Sequence, residues 1–281
     1  MPDSTKKPDI LFISGSPRSR TCVALIDLLE QGAKSAGAKT QRFLLSKKHI
    51  LPCTGCEGCM ETGICVQANK TQSGHLLDDY LELKATLERV DAIAIVAPLY
   101  FAGPPSQLKA LYDRFQPYWV KRYVLGEQPA PKRPAQLFVV GGSPGDAHGY
   151  APLAGITKSA VAVAGFNLEK VNNFVGFLAK SDAPVLPDED DWGHFTHSQI
   201  AHIRRETVKQ TAFVQRAVGA GGAYTRYIIK KQQQADQLAA TEQTAQEHAE
   251  KVVDIPPASA PDLPVLPDIP DTPSPSPDSA A

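Results

Sequence analysis

Four of the chain's five cysteines fall within thirteen residues, Cys53-Thr54-Gly55-Cys56-Glu57-Gly58-Cys59 and then Cys65. The spacing is C-x2-C-x2-C-x5-C, and with Gly55, Gly58 and Gly63 between them the thiolates can curl around one compact object. Soft thiolates select zinc, copper(I) or iron–sulfur clusters. A triple C-x2-C-x2-C run is the ferredoxin-like way of holding three irons of a [4Fe–4S] cube, with a further cysteine on the last iron. Structural zinc prefers two separated C-x2-C knuckles, and no second knuckle occurs here. Cys53, Cys56, Cys59 and Cys65 are therefore the metal candidates. A loop of reduced thiols that binds nothing is the plainer alternative, and Val66 follows Cys65 where the bacterial ferredoxin run has proline. No secretory segment is read, so disulfide pairing is not expected.

A second concentration of chemistry is Ser14-Gly15-Ser16-Pro17-Arg18-Ser19-Arg20-Thr21. Hydroxyls at Ser14, Ser16, Ser19 and Thr21, the guanidinium groups of Arg18 and Arg20, and free backbone N–H groups meet where a helix begins. Helix-end donors and positive potential bind a phosphate monoester, and arginine adds a bidentate grip. No G-K-[ST] makes it a Walker loop, and no G-x-G-x-x-G makes it a dinucleotide turn. The simpler reading is a Ser or Thr N-cap. Two further loops have ligand-like composition. Pro98-Leu99-Tyr100-Phe101-Ala102-Gly103 can wall a planar ring, unless its aromatics are loop core. Gly141-Gly142-Ser143 lets backbone N–H groups come close to a ligand.

Strands must carry these loops. Asp9–Ser14, Asp91–Ala97 and Ala135–Val140 are short continuous apolar runs, as expected of parallel strands buried on both faces. Thr40–Leu45 reads as the second strand, and a fifth falls at about Lys170–Val175. Helical periodicity fills the intervals, so strands and helices alternate five times. That pattern predicts an α/β parallel sheet with helices on both faces. Loops after the first, third and fourth strands then share one sheet edge. Asp78-Asp79 is read as capping the helix that follows. Thr196–Val218 is helical, Gly219–Gly222 is expected to break it, and Tyr224–Lys251 reads as an exposed polar helix. Residues 181–192 read as a linker or lid. Nine of the 24 prolines lie in residues 252–281, which are expected to be disordered. The expected organisation is 1–180 as a ligand-binding domain with the cysteine loop 53–65, 181–251 as a helical extension, and 252–281 as a tail.

Composition excludes other classes. Of 281 residues, 42% are hydrophobic and 21% charged, enough for a sizeable core. A formal net charge of −1 gives no field toward nucleic acid or an anionic membrane. No apolar stretch approaches the ~20 residues of a membrane helix. A cytoplasmic protein is expected, with no nucleic-acid or membrane partner.

Taken in order, Gly15-Ser16-Pro17-Arg18, Pro52-Cys53-x-Gly55-Cys56-x-x-Cys59, Gly63-x-Cys65, Asp78-Asp79, Pro98-x-Tyr100-Phe101 and Gln107-Leu108-Lys109-x-Leu111-x-Asp113-Arg114 resemble the NAD(P)H-dependent FMN reductase superfamily, and within it the iron–sulfur flavoproteins. The likeness covers about residues 9–175. It implies a flavodoxin-like, doubly wound five-stranded sheet of order 2-1-3-4-5, with FMN at the switch point between the first and third strands. It implies that Ser16, Arg18 and Thr21 hold the FMN phosphate. Pro98, Leu99, Tyr100 and Phe101 would flank the isoalloxazine, with Gly141, Gly142 and Ser143 near its edge. The family loop is commonly longer between Arg and Thr, so Ser19 or Arg20 can substitute for Thr21. The resemblance further implies a homodimer or homotetramer, a [4Fe–4S] cluster on the four cysteines, and electrons from NAD(P)H or a reduced carrier protein. The chemistry would be the flavin's, with no catalytic side chain named. A cluster-free FMN or quinone reductase and a non-enzymatic electron-transfer flavoprotein are the alternatives.

Overall fold

The computed structural model describes residues 6–69, 71–72, 75–76, 78–141, 148–174 and 196–253. Five parallel strands form the main sheet: β1 (Asp9–Ser14), β2 (Lys39–Leu44), β3 (Ala92–Pro98), β4 (Arg133–Val140) and β5 (Phe166–Phe174). Their spatial order is β2-β1-β3-β4-β5, the flavodoxin-like winding expected. The connecting helices are α1 (Thr21–Ser35), α2 (Tyr80–Leu87), α3 (Ser106–Asp113), α4 (Gln116–Tyr123) and α5 (Ala151–Val163), followed by the long α6 (His197–Val253).

The apolar runs work because a strand sends successive side chains to opposite faces. Ile10 and Phe12 of β1, with Ala94 and Val96 of β3, join one core; Leu11 and Ile13, with Ile93 and Ile95, join the other. α1 and α6 cover the first face through Leu25, Ile26 and Leu29 and through Ala217, Tyr224 and Ile228. Leu83 and Leu87 of α2, Leu108 and Leu111 of α3, and Leu153 and Val161 of α5 cover the second. Each such aliphatic side chain stabilises the fold by about 1.5–3 kcal/mol through burial.

β5 starts at Phe166, earlier than expected. Its pairing with β4 shifts between Ala135 and Gln136, whose partners are Leu168 and Lys170. Glu169 is the extra residue, and it pairs with Lys231 of α6 at 2.7 Å. A bulge in a strand carrying Asn167 and Glu169 erases the alternation by which a strand is recognised. Val175, the other expected end, lies outside the described residues.

The expected break at Gly219–Gly222 does not occur, since α6 runs through it. Gly221 serves packing instead. A Cβ on Gly221 would stand 1.9 Å from the Leu29 carbonyl oxygen, and one on Gly32 would stand 1.9 Å from that of Val218. α1 and α6 thus cross backbone against backbone, which only residues without a side chain allow. One turn on, the buried Tyr224 hydroxyl sits 2.8 Å from the Ile93 carbonyl oxygen and 3.0 Å from that of Pro134. Pro134 has no N–H to give the ladder, and the phenol supplies a donor beside it. Gly221→Ala is expected to destabilise the protein by about 1–3 kcal/mol through overpacking. Gly219, with nothing within 4 Å of an added Cβ, is the control: its change to Ala should stabilise the helix by up to about 1 kcal/mol. Urea midpoints of the two variants measure this difference.

The first compact unit runs through Ala235 and includes the part of α6 that bears Ala217, Tyr224 and Ile228. Asp236 onward forms a second unit. Residues 181–192 and the proline-rich 254–281 lie outside the described residues. Among the described residues, no helix is long and apolar enough to cross a membrane.

Candidate functional site

Parallel pairing brings the ends of β1, β3 and β4 to one edge, with Ser14 beside Val96 and Pro98 beside Val140. The Gly15 amide extends this pairing by donating to the Val96 carbonyl at 2.8 Å. A Cβ on Gly15 would lie 2.6 Å from Leu108 Cδ2, so glycine lets α3 press against the loop.

At the start of α1, Arg20 occupies the N-cap position and makes no side-chain capping bond. The Ser or Thr cap is therefore absent, and the first-turn N–H groups remain available as donors. Ser14 is buried at the end of β1, and its Oγ has no partner among the described residues. Ser16 Oγ accepts the Arg18 amide at 3.1 Å. Arg18 reaches across to the neighbouring loop, where its Nη2 donates to the Tyr100 hydroxyl at 2.8 Å. Ser19 turns aside to Ser46 Oγ at 2.6 Å. Ser46 is thus a loop anchor that no motif announced. Thr21 is the first residue of α1. Donors, cationic charge and a buried orphan hydroxyl converge here, and that suits a phosphate.

The β3–α3 loop turns back at Tyr100, whose amide and carbonyl bond reciprocally with those of Gly103 at 3.0 and 2.9 Å. Its two central residues, Phe101 and Ala102, have φ of +48° and +62°. Such turns favour Asn and Gly, and each non-glycine residue held there costs on the order of 1–2 kcal/mol. Phe101 is not loop core, for it is completely exposed. The Ala102 carbonyl accepts the Leu153 amide of α5 at 3.1 Å, which ties the turn to the scaffold. Gly141 closes β4 with φ of +86°. Gly142 and Ser143 lie outside the described residues.

Cys53, Cys56, Cys59 and Cys65 line one cavity of about 600 Å³ with Gln67, Arg114 and Trp119. The hydrogen bond from the Gly58 amide, which outweighs the cost of burial, holds the Cys56 thiol below its ordinary pKa, helped by Thr54 and Gln67. Gln67 Nε2 lies 3.8 Å from the sulfur. Burial raises Cys59, and the charges of Cys65, Cys53 and Cys56 add to that. Soft thiols on one cavity wall with amide donors beside them fit a cationic metal centre in their chemistry. Among the described residues, no three His, Cys, Asp or Glu side chains gather closely enough to hold a single ion. The fifth cysteine, Cys22, stands apart in α1, where burial pushes its thiol up to about 12.

The cavity's footing was missed in the sequence. Asp78 and Arg114 form an ion pair with side chains 0% and 1% exposed. Asp78 Oδ2 accepts the Leu51 amide at 3.2 Å, and Arg114 Nη1 donates to the Leu51 carbonyl at 2.9 Å. Leu51 is clasped from both sides just before the cysteine run. Asp79 accepts the His49 amide at 2.8 Å and makes no capping bond to α2. Asp78 does accept the Tyr80 amide at 3.2 Å, so capping is only part of what this carboxylate pair does. The long sequence separation between Asp78 and Arg114 hid the pairing.

A family model described as NADPH-dependent FMN reductase matches residues 8–165, more than half of the chain. An iron-sulfur flavoprotein of Methanosarcina thermophila is 34% identical over 106 residues, covering 37% of this chain and 51% of that protein. One of Archaeoglobus fulgidus is 33% identical, covering 38% and 44%, and one of Methanocaldococcus jannaschii is 34% identical, covering 38% and 52%. The chain thus spans about half the length of these curated relatives. A solved flavone reductase overlaps 78% of this chain and 62% of its own, with TM-score 0.48 and 17% identity.

Proposed function

The chain belongs to the NADPH-dependent FMN reductase family, and on that premise we propose that it is an FMN-dependent oxidoreductase of the iron–sulfur flavoprotein kind, drawing electrons from NAD(P)H or a reduced carrier protein. The observation that carries the reading is the uncapped start of α1 beside Arg18 and the buried Ser14 hydroxyl, which has no partner among the described residues. Ser14, Ser16, Arg18, Ser19, Arg20 and Thr21 would hold the phosphate. Pro98, Leu99, Tyr100, Phe101 and Gly103 would wall the ring system, with Gly141, Gly142 and Ser143 at its edge. Cys53, Cys56, Cys59 and Cys65 would hold a [4Fe–4S] cluster. When bound, FMN supplies hydride acceptance and single-electron release, and the cluster supplies single-electron transfer.

The side chains' own part is positioning. Arg18 bridges two loops, so it can move from the Tyr100 hydroxyl to a phosphate without leaving the site. Strain in the Phe101–Ala102 turn holds one aromatic face out where a flat ring or a second subunit can cover it. A homodimer or homotetramer is part of this reading. A cluster-free reductase is the second reading; among the described residues no three His, Cys, Asp or Glu side chains gather to hold a metal ion.

Anaerobic purification with flavin, iron and sulfide counted per chain tests both. One FMN and about four irons are expected, with the flavin bleached by NADPH or NADH. FMN without iron selects the second reading. A colourless protein that takes up no added FMN overturns both.

A further inference from the structure

We propose that Ser46, on the turn after β2, is a positioning residue for the phosphate loop: through the Ser19 hydroxyl it holds the approach to α1 in the shape that receives a phosphate monoester; this rests on the flavin reading above. Ser19 Oγ and Ser46 Oγ lie 2.6 Å apart, and the two residues are separated by 27 positions in the chain. In the sheet, β1 lies between β2 and β3. The loop that leaves β1 is tethered toward both neighbours by consecutive residues. Arg18 donates to the Tyr100 hydroxyl beyond β3 at 2.8 Å, and Ser19 meets Ser46 beyond β2.

A phosphate acts differently on the two tethers. It competes with the Tyr100 hydroxyl for the Arg18 guanidinium, because a charge-assisted bond is stronger than a neutral one. The Ser19 hydroxyl is turned aside to Ser46, so that bond persists when Arg18 moves. Ser46 is a firm anchor. It is half-buried and follows Leu45, which is 1% exposed and packed in the core. The Leu45 carbonyl accepts the Lys48 amide at 3.4 Å and closes the turn. The loop itself has little to hold it: α1 has no side-chain cap, and Ser16 Oγ accepts the Arg18 amide at 3.1 Å. A loop fixed before its ligand arrives loses less freedom on binding, which raises affinity without any contact from the anchor to the ligand.

Ser46→Ala is expected to weaken FMN by about 2- to 10-fold, the worth of one neutral hydrogen bond, and to leave riboflavin, which lacks the phosphate, unchanged. Ser46→Thr keeps a hydroxyl and should retain wild-type affinity. Ser19→Ala should weaken FMN to the same extent, and the double alanine variant no further, because one shared bond is lost in each. Fluorescence titrations of the apoproteins with both flavins read these ratios, and Ser19→Ala alone carries the test if Ser46→Ala does not fold. A loss confined to FMN, spared by threonine and not deepened in the double variant, supports the assignment. Unchanged FMN affinity, an equal loss for riboflavin, or additive losses overturn it while leaving the flavin reading in place. A wild-type protein that takes up no FMN overturns that reading, and the proposal with it.

Discussion

Riboflavin is expected to bind this chain about 10²- to 10⁴-fold more weakly than FMN, from which it differs only by the phosphate. Two charge-assisted hydrogen bonds, each worth about 1.5–3 kcal/mol, give about 3–6 kcal/mol, and 1.4 kcal/mol is a factor of about ten. The donors are present in excess of that number: the Arg18 guanidinium, the uncapped first-turn amides of α1, and the Ser14 and Ser16 hydroxyls. Arg18→Ala should weaken FMN by about 10- to 100-fold, one such bond, and leave riboflavin nearly unchanged. Added salt should narrow the difference between the two ligands, because Arg18 is exposed and its attraction is screened. Flavin fluorescence titrations of the apoprotein measure all of this. Equal affinities for FMN and riboflavin would remove the phosphate from the argument and leave the β1–α1 loop without a role.

That loop was legible in the sequence, and the reason is physical. Ser14 to Thr21 is a local feature, in which consecutive residues supply the donors and the helix start supplies the field. The same holds for the winding of the sheet, since Ile10–Ile13, Ile93–Val96 and Leu137–Val140 are apolar without interruption because both faces are covered. What stayed hidden depends on chain segments far apart. Gly219–Gly222 reads as a helix break when taken locally, because glycine is a poor helix former. Only the approach of the Leu29 carbonyl at the α1–α6 crossing shows why glycine is needed at Gly221. Asp78-Asp79 reads as a cap because carboxylates favour helix starts. Its link to Arg114, 36 residues on, appears only once α3 is folded beside the cysteine loop. Glu169 was obscured in the opposite way, since a bulge there breaks the period that marks β5.

Cys59→Ala is expected to bring iron and sulfide from about four per chain to near zero while FMN stays at one per chain. Cys59, the third thiol of the C-x2-C-x2-C run, is one of four on the same cavity wall, and a cube left with three ligands has an exposed, labile iron. Folding should survive, because the loop's approach is fixed by Leu51 between Asp78 and Arg114 rather than by the thiols. Flavin should survive because its proposed seat is built from the loops after β1, β3 and β4, which contain none of the four cysteines. Cys22→Ala is the control: that thiol is buried in α1 and pushed up to about 12, which keeps it protonated and away from metal. It should leave the iron and sulfide counts unchanged. Iron and sulfide assays with the visible spectrum of anaerobically purified protein decide the matter. If Cys59→Ala keeps its iron and Cys22→Ala loses it, the metal belongs to another part of the chain. If Cys59→Ala loses flavin along with iron, the cysteine loop and the flavin seat are one cooperative unit, contrary to the separate anchoring argued from Asp78 and Arg114.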